Sequence, residues 1–293
     1  MANLKDIRTR INSVKTTRQV TNAMKMVSAA KLKKAQDDTL HIRAYTSRLL
    51  GICQDLILSF DKRPSCVYTE QGKEGKTVII AIASNRGLCG VFNTNIAKEV
   101  QSLILNDYQE EYKAGNVVVG VLGKQVGKML KTRKIKADFD FNDLIQAPSF
   151  AGTKKLAKKL MDGFAGGEYK NVILVYNEFV NAAIQRVCPY QYLPFIIPET
   201  DESSRLSSEY IFEPDVNSII NSLVPELLES TLFQVLLESL ASEHGARMTS
   251  MHKATDNASE LINDLQLSYN KARQSAITNE IIEVTSGANA LGG

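Results

Sequence analysis

Apolar residues recur along this chain in two rhythms. Between residues 226 and 288 the rhythm is helical: Met251, Ala254, Ala258, Leu261, Leu265, Ser268 and Ala272 step 3, 4, 3, 4, 3, 4. That is the a/d seam of a coiled coil rather than the wider stripe of a globular helix. Pro225 is the last proline, and only Gly245 and Gly287 interrupt this stretch, which is dominated by Leu, Ala, Met, Gln, Glu, Lys and Ser. Helix propensity is therefore high almost throughout. About 60 residues form a rod roughly 90 Å long, too long for the inside of an ordinary domain, so a partner helix is required. The other end of the chain supplies one. Residues 3–50 contain neither Gly nor Pro, with Asn3 as the predicted N-cap and Asp6 in the first turn. Leu4, Ile7, Ile11 and Val14 step 3, 4, 3, and after a change of phase the stripe resumes as Val20, Met24, Val27 and Lys31.

The middle of the chain has the second rhythm, short and continuously apolar runs rich in β-branched residues. Residues 77–83, 116–122 and 171–176 read as strands buried on both faces of a parallel sheet. A weaker strand is expected within 135–141, and another over 184–194, disturbed by Pro189. Helices are predicted over 92–105, 124–131 and 154–164, so strand and helix alternate as in a small α/β unit. Residues 61–76 and 203–208 are polar connections, 209–215 are extended, and Pro214 with Asp215 introduces the final helix. The predicted fold is α/β plus a long antiparallel two-helix coiled coil, formed by the N- and C-terminal helices around an inserted Rossmann-like domain. The divisions are 1–60, 75–200 and 210–293.

Charge sharpens the pairing of the two ends. Within residues 1–36, Lys5, Arg8, Arg10, Lys15, Arg18, Lys25, Lys31, Lys33 and Lys34 face Asp6 alone. The C-terminal rod is acidic, with Glu226, Glu229, Glu238, Glu243, Asp256, Glu260, Asp264, Glu280 and Glu283 against Arg247, Lys253, Lys271 and Arg273. Opposite charge on flanking positions favours association. The whole chain of 293 residues is near neutral at +3, and its length allows one or two domains. No apolar run approaches the ~20 residues of a membrane span. The N-terminus has no apolar core of a secretory signal, and Asp6 with the unbroken helix argues against a transit peptide. Cys53, Cys66, Cys89 and Cys188 are scattered, as expected of reduced thiols.

An α/β unit invites a nucleotide, and the motifs refuse it. A phosphate loop needs glycines at fixed places so that backbone N–H groups close on phosphate, with a Lys and a hydroxyl beyond. Before Gly127-Lys128 the first glycine position is Leu122 and the hydroxyl position is Met129; before Gly75-Lys76 the glycine position is Glu70. Asn85-Arg-Gly-Leu-Cys-Gly90 follows a strand but lacks the three-glycine dinucleotide pattern, and reads as a tight turn. His244 and His252 lie about 12 Å apart along one helix, too far for one metal, and are expected at the surface. Cys89 is expected to be a small, half-buried thiol, and Glu209 and Glu213 solvated charges. No catalytic, cofactor-binding or metal set emerges.

Five segments carry a resemblance. They are Ala23-Met-Lys-Met-Val-Ser-Ala-Ala-Lys31, Asn85-Arg-Gly-Leu-Cys-Gly90, Glu209-Tyr-Ile-Phe-Glu-Pro-Asp215, Ala254-Thr-Asp-Asn257 and Leu267-Ser-Tyr-Asn-Lys-Ala-Arg-Gln-Ser-Ala-Ile-Thr-Asn-Glu280. In order and spacing the chain resembles, end to end, the gamma subunits of F-type ATP synthases, most closely the bacterial type. The resemblance implies a central rotor shaft, a non-catalytic part of a proton-translocating enzyme complex. The shaft stands inside a ring of alpha and beta subunits and rests with epsilon on the membrane c ring. By the same resemblance Met24, Lys25, Arg247, Gln274, Thr278 and Glu280 meet the beta subunits and their catch. Ile281, Ile282 and Val284 turn in an apolar sleeve, and Glu209 and Tyr210 dock on the c ring and epsilon. It further implies no cofactor, no nucleic acid, no direct membrane insertion, and a peripheral place on the cytoplasmic side of the cell inner membrane. The thiol switch of chloroplast relatives is not expected, since no insertion with paired cysteines is present. The alternative from the residues alone is a basic coiled-coil protein that binds nucleic acid through residues 1–36, although no aromatic precedes Tyr45 to stack on bases.

Overall fold

A computed structural model describes residues 4–58, 66–69, 74–196, 213 and 215–291. Its elements are α1 (Leu4–Leu58), β1 (Lys76–Ile82), α2 (Phe92–Asn106), α3 (Gln109–Lys113), β2 (Val117–Leu122), α4 (Lys124–Thr132), β3 (Phe139–Asp140), α5 (Asn142–Gln146), α6 (Phe150–Ala165), β4 (Tyr169–Phe179), β5 (Gln185–Leu193) and α7 (Val216–Leu291). Two compact units result: α1 up to Ser28 with α7 from Met248 onward, and Ala29–Arg247.

In the larger unit the five-stranded sheet has the order β3-β2-β1-β4-β5. β1 pairs in parallel with β2 and β4, β2 in parallel with β3, and β5 runs antiparallel on β4. The apolar runs are continuous because alternate side chains serve different layers. Val78, Ile80 and Ile82 join the core with α1, α6 and α7, while Ile79 and Ala81 join the core with α2 and α4. β5 is an edge strand with half-exposed positions, which is why Pro189, opposite Val175, is tolerated there. The strand expected within 135–141 shrinks to two residues, and the five-residue helices α3 and α5 were not expected from the sequence.

The terminal helices run antiparallel. In the larger unit Arg43 of α1 pairs with Glu238 at 2.6 Å, Tyr45 donates to Glu226, and Lys31 acts electrostatically on Glu243. Rising numbers on α1 thus meet falling numbers on α7. The final helix begins directly after Asp215, as expected. Asp215 accepts from the Ser218 N–H at 3.2 Å as an N-cap, and Pro225 lies inside the helix. The cost of its missing N–H is offset by burial of Val224, Leu227 and Leu228 around it.

In the smaller unit the Thr255 hydroxyl donates to the Thr21 hydroxyl at 2.9 Å. The seam there differs in detail from the sequence expectation. Met251, Ala254, Ala258, Leu265 and Ala272 keep their inward positions, but Ile262 is buried while Leu261 is 38% exposed, and Tyr269 rather than Ser268 is partly covered. On α1 the covered face passes through Thr21, Met24 and Ser28, so that Val20 and Val27, at 52% and 57% exposure, point outward. Small polar residues carry the seam where the apolar pattern changes phase. The expected N-cap Asn3, and the 203–212 stretch apart from the helix start, lie outside the described residues.

Candidate functional site

Ligands of doubly wound sheets bind at the carboxyl edge of the strands, where the direction of winding reverses. Here that reversal lies between β1 and β4, and the chain fills it with its own groups. Ser84 is fully buried; its N–H donates to Asn93 Oδ1 at 3.0 Å and its hydroxyl to the Arg86 carbonyl at 2.6 Å. Asn93 Nδ2 lies 3.1 Å from Cys89 Sγ, and Asn177 Nδ2 donates to the Phe92 carbonyl at 3.3 Å. Cys89 is 2% exposed, more buried than expected, and burial pushes its thiol pKa up, away from nucleophilic use.

The neighbouring helix start is also taken. A phosphate would need the free N–H groups at the head of α4. Instead Gly123 N–H donates to Asn142 Oδ1 at 2.9 Å and Lys124 N–H to Asn85 Oδ1 at 3.0 Å. Two asparagine side chains occupy the place of an anion. The failure of the glycine motifs therefore has a structural counterpart: these loops brace each other. Among the described residues no group of His, Cys, Asp and Glu is arranged to hold a metal.

α7 contributes an unusual set of buried polar side chains to the larger unit. Glu229 meets Lys154 at 3.0 Å, Glu238 meets Arg43, and Glu243 meets Arg247 at 2.7 Å, one turn along the same helix. Burial raises the pKa of Glu243, opposed by Arg247 and Lys31. His244 corrects the sequence expectation, because it is buried at 8% exposure while His252 stays exposed beside Asp256. Burial, with the positive Arg247 and Lys31 nearby, lowers the His244 pKa from 6.5 to about 4.

A folded-state pKa below the unfolded one means that protons favour the unfolded chain. The stability linked to a neutral His244 is whole above pH 6.5 and is lost as pH falls toward about 4. About 2 kcal/mol is at stake after allowance for partial solvent screening. His244→Gln does not titrate, so denaturant midpoints measured from pH 7 to pH 4 should fall less steeply than in the parent; parallel curves would contradict the assignment.

The residues singled out by resemblance fall into distinct settings. Met24 and Lys25 are half-buried on α1, and Gln274, Thr278 and Glu280 are exposed on α7. Ile281, Ile282 and Val284 are 60%, 55% and 68% exposed. The sequence reasoning missed Ile277, 48% exposed, although its steps of four and then three to Ile281 and Val284 put it on the same stripe. Arg247 is unlike the others: at 7% exposure it is nearly enclosed, and it donates to the carbonyls of Arg86 and Gly87 at 3.2 and 3.4 Å. Glu209 and Tyr210 lie outside the described residues. From 273 to 289 every side chain of α7 is exposed.

Comparison with known proteins agrees with this geometry. A sequence model of the ATP synthase family matches residues 3–291. The ATP synthase gamma chain of Christiangramia forsetii is 46% identical over 293 residues, covering 100% of both chains. That of Flavobacterium johnsoniae is 46% identical over 295 residues, again covering 100% of both. Among solved structures, the fold is similar to a chain of the Euglena gracilis mitochondrial ATP synthase, in an OSCP/F1/c-ring assembly. The TM-score is 0.64 at 19% identity, covering 98% of this chain and 94% of that one.

Proposed function

This chain belongs to the family of ATP synthase gamma chains, and from that premise we infer how its parts serve as a central rotor shaft. The shaft couples proton flow through a membrane c ring to ATP synthesis and hydrolysis at beta subunits, without catalysing either itself. The segments 1–60 and 210–293 form the axle and 75–200 the body attached to it. The observation that carries this reading is the C-terminal part of α7. From 273 to 289 every side chain of the helix is exposed, and Ile277, Ile281 and Val284 form an apolar stripe with nothing among the described residues upon it. An exposed apolar stripe calls for an enclosing partner, and a surrounding sleeve of alpha and beta subunits suits a helix that must turn rather than lock.

Each orientation of such a shaft favours a different conformation of each beta subunit, a set of differential contacts that biases states already available to the ring. Met24, Lys25, Gln274, Thr278 and Glu280 are the side chains we assign to those contacts. Glu209 and Tyr210 are assigned to the c ring and epsilon. No described helix is long and apolar enough to cross a membrane; attachment at the cytoplasmic side of the inner membrane would run through the c ring. The family match gives no support to the nucleic-acid alternative.

The direct test fixes the alpha and beta subunits of the purified complex to a surface and attaches a bead to the body of this chain at exposed Lys98. ATP should drive stepwise rotation in one direction. A bead that stays still while ATP is consumed would overturn the reading. Met24→Lys adds a charge to a half-buried position that must slide past neighbours. ATP-driven proton pumping per ATP hydrolysed should fall several-fold while the yield of assembled complex holds. Poor assembly with normal coupling in what remains would contradict the assignment of Met24.

A further inference from the structure

Resemblance assigns Arg247 to the catch of a beta subunit, and within this chain its guanidinium lies against the turn after β1. We propose that Arg247 and Glu243 form an internal clamp that fastens the turn after β1, residues 84–90, to α7, making Arg247 a positioning residue for that turn. This rests on the rotor reading only for its mechanical purpose; the clamp itself is a property of the single chain.

Three observations converge on it. First, both charged side chains are about nine-tenths enclosed, with Arg247 Nη1 2.7 Å from Glu243 Oε1. Enclosing a guanidinium is tolerable only when its donors are used, and the other terminal nitrogen is used by the carbonyls of Arg86 and Gly87. Secondly, the turn it holds is a strained one. Leu88 has φ 64°, in the left-handed region that a branched side chain rarely enters, and that side chain is 63% exposed, so its own burial does not stabilise the conformation. Strain of this kind persists only where the surroundings over-determine it. Thirdly, the Arg86 carbonyl is a shared node. It accepts from the Ser84 hydroxyl at 2.6 Å and lies 3.9 Å from Cys89 Sγ, as well as accepting from Arg247. One long side chain thereby ties the strained turn to a helix 161 positions away in sequence.

Such a clamp gives a shaft a defined path for sideways load. A force on the exposed tip of the turn reaches α7 through one charged nitrogen, Arg247 Nη2, shared by two carbonyls. Lys in place of Arg would keep the charge but could not span Glu243 and two carbonyls in one planar fork.

The test is amide hydrogen exchange on the isolated full-length chain, where no ring is present. Arg247→Gln and Arg247→Lys should each speed exchange of the amides of Ser84 and Phe92, which donate to the Asn93 side chain and the Cys89 carbonyl around the turn, about tenfold or more relative to the parent, an amount comparable to the loss of one charge-assisted hydrogen bond. Exchange within β1 should stay as it was. Exchange at Ser84 and Phe92 equal to the parent in both variants would overturn the clamp. If the single variants do not fold because Glu243 is left buried and unpaired, Glu243→Gln/Arg247→Met removes both charges at similar volume. That chain should fold and still show the faster turn; a turn protected as in the parent would again overturn the proposal. Rotation of the assembled complex, measured separately, tests the rotor reading without depending on this result.

Discussion

Gly123→Ala should lower the melting temperature of this protein by roughly 10 °C, whereas Gly127→Ala should leave it unchanged or raise it slightly. The contrast isolates what is special about the first glycine. Gly123 has φ 120° and ψ 122°, a conformation that L residues scarcely reach. A Cβ there would stand 2.3 Å from the Ala83 carbonyl oxygen and 3.0 Å from that of Ser84. Both are backbone atoms at the end of the central strand, where Ala83 N–H already donates to the Leu122 carbonyl at 2.7 Å. They cannot step aside without disturbing the braced loops described above. Strain and clash together should cost about 3–5 kcal/mol, a large part of the stability of an ordinary domain. At Gly127 the nearest atom to an added Cβ is Val121 Cγ2, at an ordinary 3.7 Å. Alanine there gains helix propensity worth about 0.5–1 kcal/mol. Thermal melts of the two variants decide the matter; equal melting temperatures would remove the claim that backbone packing at Gly123 holds the carboxyl edge together.

Ala258→Trp should open the pairing of the terminal helices and, with it, uncouple the assembled enzyme. Among the described residues of the smaller unit the buried apolar side chains are few: Ile11, Met251, Ala258 and Ile262. Ala258 is 7% exposed, so a bulky ring must push the helices apart or be driven into solvent. Overpacking of this kind costs about 1–3 kcal/mol even in a large core, and a seam with so few anchors has little to set against it. Amide exchange over 251–265 should accelerate strongly, and proton pumping per ATP should collapse in the complex. Leu267→Trp is the control, since Leu267 is already 70% exposed and should tolerate the ring. Parent-like exchange and pumping in Ala258→Trp would mean that close helix approach at 258 is not needed.

The two helices and the parallel sheet were readable because their signals are periodic and local. Stretches 77–83 and 171–176 are apolar on both faces, and the structure buries both faces. The heptad positions of Met251, Ala258, Leu265 and Ala272 were also legible. Ala254 was too, but Leu261 and Ser268 were not. At 261 and 262 the sequence offers Leu next to Ile, and periodicity alone cannot choose between apolar neighbours one step apart; the angle at which the partner helix lies decides, and it buries Ile262. The same limit misplaced Val20 and Val27, which are apolar yet outward, while Thr21 and Ser28 took the covered face.

Polar residues were harder still. Arg247, Glu243 and His244 look like surface residues of a helix because charge normally means water. Arg247, and Glu243 through it, are enclosed by a turn more than 150 positions earlier in the chain, information that no local window contains. Asn85 and Asn142 show the same limit: each reads as a loop residue, and only together do they cap the head of α4.

By itself, then, the order of residues determined where helix and strand would form, that the chain ends would pair, and the family to which the protein belongs, because backbone propensity and hydrophobic period act over a few residues. Only the tertiary structure decided which of two adjacent side chains faces inward, and that a helix charge closes on a strained turn. These depend on the packing of segments distant in sequence, where a few tenths of an ångström or one hydrogen bond chooses between otherwise equal neighbours.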